Sequence, residues 1–452
     1  MEALGLAGAL RSLPLRNHFK EGMMQLLNIV RRGALAAGLL AGVAAPALAQ
    51  ELKVWELSST SEGVNQNWKD VIAQFEAEHP GVTVKFETFD GESYKKGLAV
   101  ALASNSGPDV YFNWGSEDSA SLARNGLAAD VSAMGTDRWL KNISEGMLGP
   151  FSVDGKAYGV PTHSIAVYMY YDTKFYADNN LTFPKTSDEM FAMCKAVREI
   201  DPDVAFTVLG NKDQWRGIHY VSMLTSQYVG PEKMLGDMRL LNDPETLFTD
   251  PGYVKALEFI AKMEKEQCFQ SGVNATTADM SDAVFTSGGG TSDYCGTWCA
   301  SAFDNQGMQG GYSIAPFPAI SDAPAENQGY ILGLTEGFQI SEKSANKELA
   351  ADFISLLLTP EVQAQRLVKA ARIPLNGENV GKYASEVHPT IQAVVADLPN
   401  YKGFAPILDV DLNGKLVDIY KRGIQDVIDG RTSAADLMKT IHDEAVKIKA
   451  AM

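Results

Sequence analysis

From Glu51 to Trp114 the chain reads strand, helix, strand, helix, strand, and this alternation limits the fold more than any other feature of the sequence. "ELKVWEL" gathers its apolar residues as a buried strand does. In "GVNQNWKDVIAQFEAEHPG", Trp68, Val71, Ile72 and Phe75 recur at helical spacing, and His79-Pro80-Gly81 ends the run. "VTVKFETF" follows as a second strand, "SYKKGLAVALASN" as a second helix and "GPDVYFNW" as a third strand. Such a series predicts an α/β fold with a mostly parallel sheet covered by helices. The pattern resumes with the strand "IAVYMYYD" and the helix "TSDEMFAMCKAVREI", where Thr186 and Glu189 form a capping box. Long amphipathic helices follow in "DPGYVKALEFIAKMEKEQ", "NKELAADFISLLLTPEVQAQRLVKAA" and "AADLMKTIHDEAVKIKAAM".

At 452 residues the chain is too long for one core and suits two lobes. No repeat and no low-complexity linker divides it, which implies that the chain crosses between lobes more than once. The net charge of -17 argues against nucleic acid or an anionic membrane surface as partner, because neither gains from so acidic a body. Near the N-terminus Arg31 and Arg32 precede "GALAAGLLAGVAAPALA", with small residues at Ala47 and Ala49. This is the pattern of a signal peptide over residues 1–49, cleaved before Gln50, with residues 1–22 as an upstream extension because "MMQLLNIVRR" is itself a complete basic n-region. The expected location is therefore the periplasm. No Cys stands at the cleavage point, so lipidation is not expected.

Cys194, Cys268, Cys295 and Cys299 form an even set that allows three pairings, and the C-x3-C spacing of the last two fits neither a redox nor a zinc motif. Asp409, Asp411, Asn413 and Gly414 match the first half of a calcium loop, but Tyr420 stands where the bidentate carboxylate belongs. Leu416, Tyr420, Ile424 and Val427 then recur at helical spacing, so Asp411 or Asn413 is read as a helix cap and no metal is assigned. The chain holds no G-x-S-x-G, H-E-x-x-H or P-loop, and its six His are scattered. A glycosidase working through two carboxylates has no sequence signature and stays as the enzymatic alternative.

Several segments together resemble the extracellular solute-binding proteins of ABC importers, in the maltose-binding-protein-like group known as family 1. They are "LKVWE", "FEAEHPGVTVKFE", "LASNSGPDVYF" with "LARNGLAADVS", "VDGKAYGVPTH" leading into "VYMYYDTKFY", "FPKTSDEM", "CGTWC", "GFQISEKSANKELAADFISLLLTPEVQAQ" and "ARIPLN". The resemblance implies a two-lobed type II periplasmic-binding-protein fold with ligand in a cleft closed by hinge bending. It places crossings near Pro161 to Ala166, near Pro316 to Leu332 and just before Arg372. One lobe is then 50–162 plus 327–372, the other 163–326 plus 373–452.

The same resemblance implies no catalytic residues, no cofactor and a monomer that delivers a mono- or oligosaccharide to a membrane ABC permease, or presents it to a chemoreceptor. Its candidate ligand residues stand at strand ends and cleft-facing segments: Ser58, Ser59 and Thr60; Asp90 and Glu92; Asn113, Trp114 and Glu117; His163 at the hinge; Trp215, Arg216 and Trp298 in the other lobe; then Arg372, Asp409 and Asp411. Indole faces pack on the C–H face of a sugar ring, while acids and amides bond its hydroxyls. Trp55 and Trp68 are read as core, and Glu56, Asp90 and Glu92 as either cleft or solvated loop acids. Arg216 either pairs with a buried acid or meets an anionic solute. The alternative ligand is a charged solute: a sugar acid or glycerol phosphate held by Arg216 and Arg372, or a polyamine held by the acids.

Overall fold

The computed structural model describes residues 50–104, 106–375, 383 and 385–452; the expected leader lies outside them, as does the Glu92 side chain. The opening series forms as read: β1 (Gln50–Leu57), α1 (Glu62–Glu78), β2 (Val82–Phe89), α2 (Gly91–Ala103), β3 (Val110–Asn113) and α3 (Ser116–Arg124). Ser61 caps α1 by accepting from the Val64 N–H, and Val64, Trp68, Val71 and Phe75 face the core. Each such side chain contributes about 1.5–3 kcal/mol by leaving water. The helix ends at His79, whose N–H still bonds Phe75, because Pro80 has no N–H to continue the ladder.

Beyond these lie β4 (Val160–Asp172), α4 (Ser187–Ile200), α5 (Trp215–Val229), α6 (Pro251–Lys265), α7 (Ala278–Thr286), β5 (Ser292–Gly296), β6 (Tyr312–Ala315), β7 (Ile331–Ile340), α8 (Lys347–Leu357), α9 (Pro360–Ala370), β8 (Ile373–Pro374), β9 (Phe404–Ala405), the single turn α10 (Leu408–Asp411), α11 (Gly414–Ile428) and α12 (Ala434–Ala451). The Thr186–Glu189 capping box opens α4, and Asn413 caps α11 by accepting from the Lys415 N–H.

The main sheet runs β8-β4-β7-β3-β1-β2, with β9 added to β7 and β5 and β6 added to β4. It is mixed. β1 and β3 are parallel, Val54 opposite Val110, but β7 runs antiparallel to β3 and β4 antiparallel to β7. The antiparallel share comes from β4 and β7, long strands whose neighbours lie far away in sequence, which a local strand-helix pattern does not register.

Among the described residues, buried side chains gather in three clusters. The first holds Leu52, Val54, Trp68, Phe75, Val110, Phe112, Val160, Phe338, Ile340, Phe353 and Ile354. The second holds Ile165, Val167, Met169, Phe206, Ile218, Leu257, Tyr294, Leu332, Leu408, Leu416 and Tyr420. The third takes Ala166, Tyr168 and Tyr170 from the opposite face of β4, as the two-residue period of a strand requires, together with Phe303 and Ile373. The chain thus passes from the first cluster to the others within β4, returns within β7, and passes again over the last turn of α9, where Leu367 and Ala371 belong to the third cluster and Ala370 to the first; φ at Ala371 is +52°. Two disulfides close the cysteine set: Cys194–Cys268 joins α4 to the chain beyond α6, and Cys295–Cys299 spans the turn that carries Trp298.

Candidate functional site

Where the first cluster meets the second, aromatic and polar side chains form a continuous line. Trp298 stands over Gly296, where any Cβ would collide with its ring. Its ring centroid is 6.1 Å from that of Trp215, at the first turn of α5, and Trp215 is 5.2 Å from His219 one turn on. His219 Nε2 lies 4.0 Å from an Asp409 carboxylate oxygen. Lys95 Nζ donates to the Asp409 carbonyl at 2.9 Å and stands 4.5 Å from the Trp114 ring centroid. Trp114 packs against both clusters, edge-on to Phe112 and Tyr94.

The charges along this line are matched among themselves. Lys95 pairs with Asp118 at 2.8 Å, and Lys421 lies 3.8 Å from Asp409. Burial pulls Asp409 upward, but Lys95, Lys421 and His219 outweigh it and hold the carboxyl below its ordinary range; burial wins at Asp118, which is raised. Burial also takes His219 down to about 4, so its imidazole is neutral at pH 7. Asp411 accepts from the Ile407 N–H at 3.3 Å and pairs with Arg239 at 3.6 Å.

Arg216, next to Trp215, is 2% exposed and committed inward. It pairs with Asp282 on α7, donates to Asp293 on β5 at 2.7 Å and to the Tyr294 carbonyl at 3.3 Å, and its guanidinium lies 4.7 Å from the Trp215 ring centroid. Between the two readings left open for it, the structure records the buried pair.

His163 and Arg372 meet elsewhere, where β4, β7 and β8 lie side by side. His163 Nε2 and Glu336 are 2.8 Å apart, His163 Nδ1 is 2.9 Å from Thr162 Oγ1, and Arg372 reaches Glu336 at 3.4 Å. Burial lowers His163 to about 3; with a neutral ring, Nδ1 accepts from the hydroxyl and Nε2–H donates to the carboxylate. Glu56 belongs to the same buried group and is neither solvated nor loop: it sits in β1, 4% exposed, and burial lifts it to about 7 against the pull of the Leu57 N–H, Arg372 and Arg366.

The other sequence candidates have local work. Asp90 caps α2 by accepting from the Ser93 N–H, and Asn113 Oδ1 accepts from the Gly115 N–H at 2.7 Å. Ser59 accepts from the Ser61 N–H; Ser58 and Thr60 are exposed beside it. Glu117 pairs with Arg124. Trp68 is core; Trp55 is half-buried, donating to Glu87 at 2.9 Å. Tyr420 is buried and donates to Met438 Sδ at 3.2 Å. Lys95, His219 and Lys421 complete the line and were absent from the sequence candidates. Lys95 looks in sequence like any surface lysine, and only His219, one helical turn beyond Trp215, carried a positional signal.

The sequence profile of the bacterial extracellular solute-binding protein family matches residues 59–364. A putative binding protein of Brucella abortus is 23% identical over 377 residues, covering 82% of this chain and 88% of that one. The galactooligosaccharide-binding protein of Bacillus subtilis is 26% identical over 330 residues, 72% of each chain. A solved structure from work on xylan utilization by the thermophilic bacterium Caldanaerobius polysaccharolyticus superposes with a TM-score of 0.80 at 21% identity, covering 87% of this chain and 99% of that one. The fold is therefore the two-lobed type II arrangement of periplasmic binding proteins, and the chain belongs to the bacterial extracellular solute-binding protein family.

Proposed function

We propose that the chain is an exported receptor that captures a neutral mono- or oligosaccharide between its lobes by hinge closure and hands it to a membrane ABC permease. The observation that carries this reading is the pairing of the half-buried Trp215 and Trp298 rings beside charges that are already matched. An aromatic platform suits the C–H face of a sugar ring. A sugar acid or glycerol phosphate would have to take Arg216 from Asp282 and Asp293, or Arg372 from Glu336, and a polyamine would have to displace Lys95 and Lys421 from Asp118 and Asp409. Stripping a buried acid of its arginine costs about 3–5 kcal/mol, which disfavours the anionic solutes, and a polyamine would only exchange one cation for another while leaving two ammonium groups without their acids. Relatives that bind galactooligosaccharide or belong to xylan utilization support the same class.

In this reading residues 1–49 direct export to the periplasm, 50–162 plus 327–372 form the first lobe, and 163–326 plus 373–452 form the second. The receptor acts as a monomer without catalysis or cofactor, and a chemoreceptor is a further partner. The test is a thermal-shift panel of neutral sugars and oligosaccharides, sugar acids, glycerol phosphate and polyamines, because a ligand that binds only the folded state raises Tm. Neutral sugars should raise it, and Trp298→Ala should abolish that response while the unliganded Tm changes little. A response confined to charged solutes defeats the proposal, and an unchanged affinity in Trp298→Ala removes that ring from the site.

A further inference from the structure

Residues 407–411 are anchored in the second lobe and end against helices of the first. Leu408 and Val410 are buried in the second cluster, and the Leu408 N–H donates to Ser222 Oγ on α5 at 3.0 Å. From that anchorage α10 packs on α3, and polar side chains at this segment reach across between the lobes. Lys95, on α2 of the first lobe, donates to the Asp409 carbonyl at 2.9 Å while its ammonium pairs with Asp118 of α3 at 2.8 Å. Asp411, the last residue of α10, is close enough to Ser116, the first residue of α3, for the serine to pull its carboxyl down, and the cap residue of α3, Gly115, brings no side chain. The second lobe thus supplies an acid to the uncapped end of a helix in the first, where the helix dipole favours negative charge.

The electrostatics sharpen the point. Asp409 is a buried acid of the second lobe and Asp118 a half-buried acid of the first, near enough that Asp409 raises Asp118. Lys95 stands between them, with Lys421 and the neutral His219 on the far side of Asp409. Separate the lobes and Asp409 regains water. Keep them together without Lys95, and Asp118 loses the cation it pairs with while facing Asp409, which keeps only Lys421 and the neutral His219 beside it.

We infer that Lys95 and Asp411 are positioning residues that latch the lobes shut, their cross-lobe contacts existing only in the closed form. The inference rests on the hinge-closure reading above but not on the identity of the solute. A receptor populated in its closed form by a fraction f binds with an affinity scaled by that fraction, so the latch sets affinity without touching solute.

The test is small-angle X-ray scattering of the ligand-free mature protein. Lys95→Met should shift the radius of gyration upward, because the two acids then repel. Lys95→Met with Asp118→Asn should shift it back, because one of the repelling charges is gone. Asp411→Asn, which leaves the Lys95 contacts intact, should move it upward by a smaller amount. Far-ultraviolet circular dichroism confirms that each variant is folded, and Asp411→Asn keeps the test open if Lys95→Met is not. A rescued double variant is the result a merely structural lysine would not produce. Identical radii in all four proteins overturn the latch, as does a double variant no more compact than Lys95→Met. If no sugar in the panel binds, scattering still decides the latch, so its failure is distinguishable from failure of the sugar assignment.

Discussion

Glu56→Gln should flatten the pH dependence of stability across neutral pH. Glu56 is buried in β1, its Oε1 accepting from the Leu57 N–H at 2.9 Å, and burial lifts its pKa from 4.5 to about 7. A carboxyl whose folded pKa is raised contributes stability that is complete below 4.5 and lost as pH rises through 7, since the unfolded chain ionises first. The difference of some 2.5 units is worth about 3 kcal/mol, of which roughly 2–3 kcal/mol is lost between pH 5 and pH 8. His163 works in the opposite sense: with its pKa lowered to about 3, its contribution is present above 6.5 and lost as pH falls toward 3. Both proteins keep His163, so comparing wild type with variant isolates Glu56. Gln resembles the protonated acid. At pH 5 it should cost little beyond a changed hydrogen bond, and at pH 8 the variant should gain on wild type by about 2–3 kcal/mol relative to pH 5. Urea unfolding followed by tryptophan fluorescence at the two pH values gives the double difference; a value near zero refutes the claim that burial dominates at Glu56.

Two further outcomes follow from the backbone and the disulfides. At Gly337 on β7 an added Cβ would meet the Val160 carbonyl and stand 2.7 Å from Pro161 Cα, both backbone atoms of the paired strand β4, so Gly337→Ala should destabilise by about 2 kcal/mol or more; an unchanged Tm would show that β4 and β7 can separate there. Cys194–Cys268 closes a loop of sequence separation 74, so Cys194→Ala with Cys268→Ala should cost about 2–4 kcal/mol in chemical denaturation, and a loss below 1 kcal/mol would place the constraint elsewhere.

Local signals carried the fold a long way. The apolar spacing of Trp68, Val71, Ile72 and Phe75, the Thr186–Glu189 box and the Asn413 cap are short-range chemistry, and each stands in the structure where its residue types imply, with Ile72 only partly buried against the cluster. The site was less legible because its determinants are long-range. Arg216 finds Asp282 and Asp293 66 and 77 residues away, and Lys95 meets Asp409 at a separation of 314. Nothing in the neighbourhood of a lysine on an amphipathic helix announces such a partner. Glu56 misled for a related reason. An acid at a strand end usually reaches water, but here Arg366 of α9, itself buried, and Arg372, just past the last crossing, stand close to it.

The distribution of the first cluster along the chain bears on the order in which the protein can form. Leu52, Val54 and Phe75 emerge early from the ribosome, or from an export channel, but Phe338, Ile340, Phe353 and Ile354, which close over them, emerge some 260 or more residues later. A nascent chain halted before β7 therefore exposes β1, β2 and β3 with one flank unpaired and no lid of α8 and α9. Its early segments wait, apolar and unpartnered, for nearly the whole message to be read. That interval makes the molecule slow to commit to a compact state, and chaperones have their longest access to this N-terminal third.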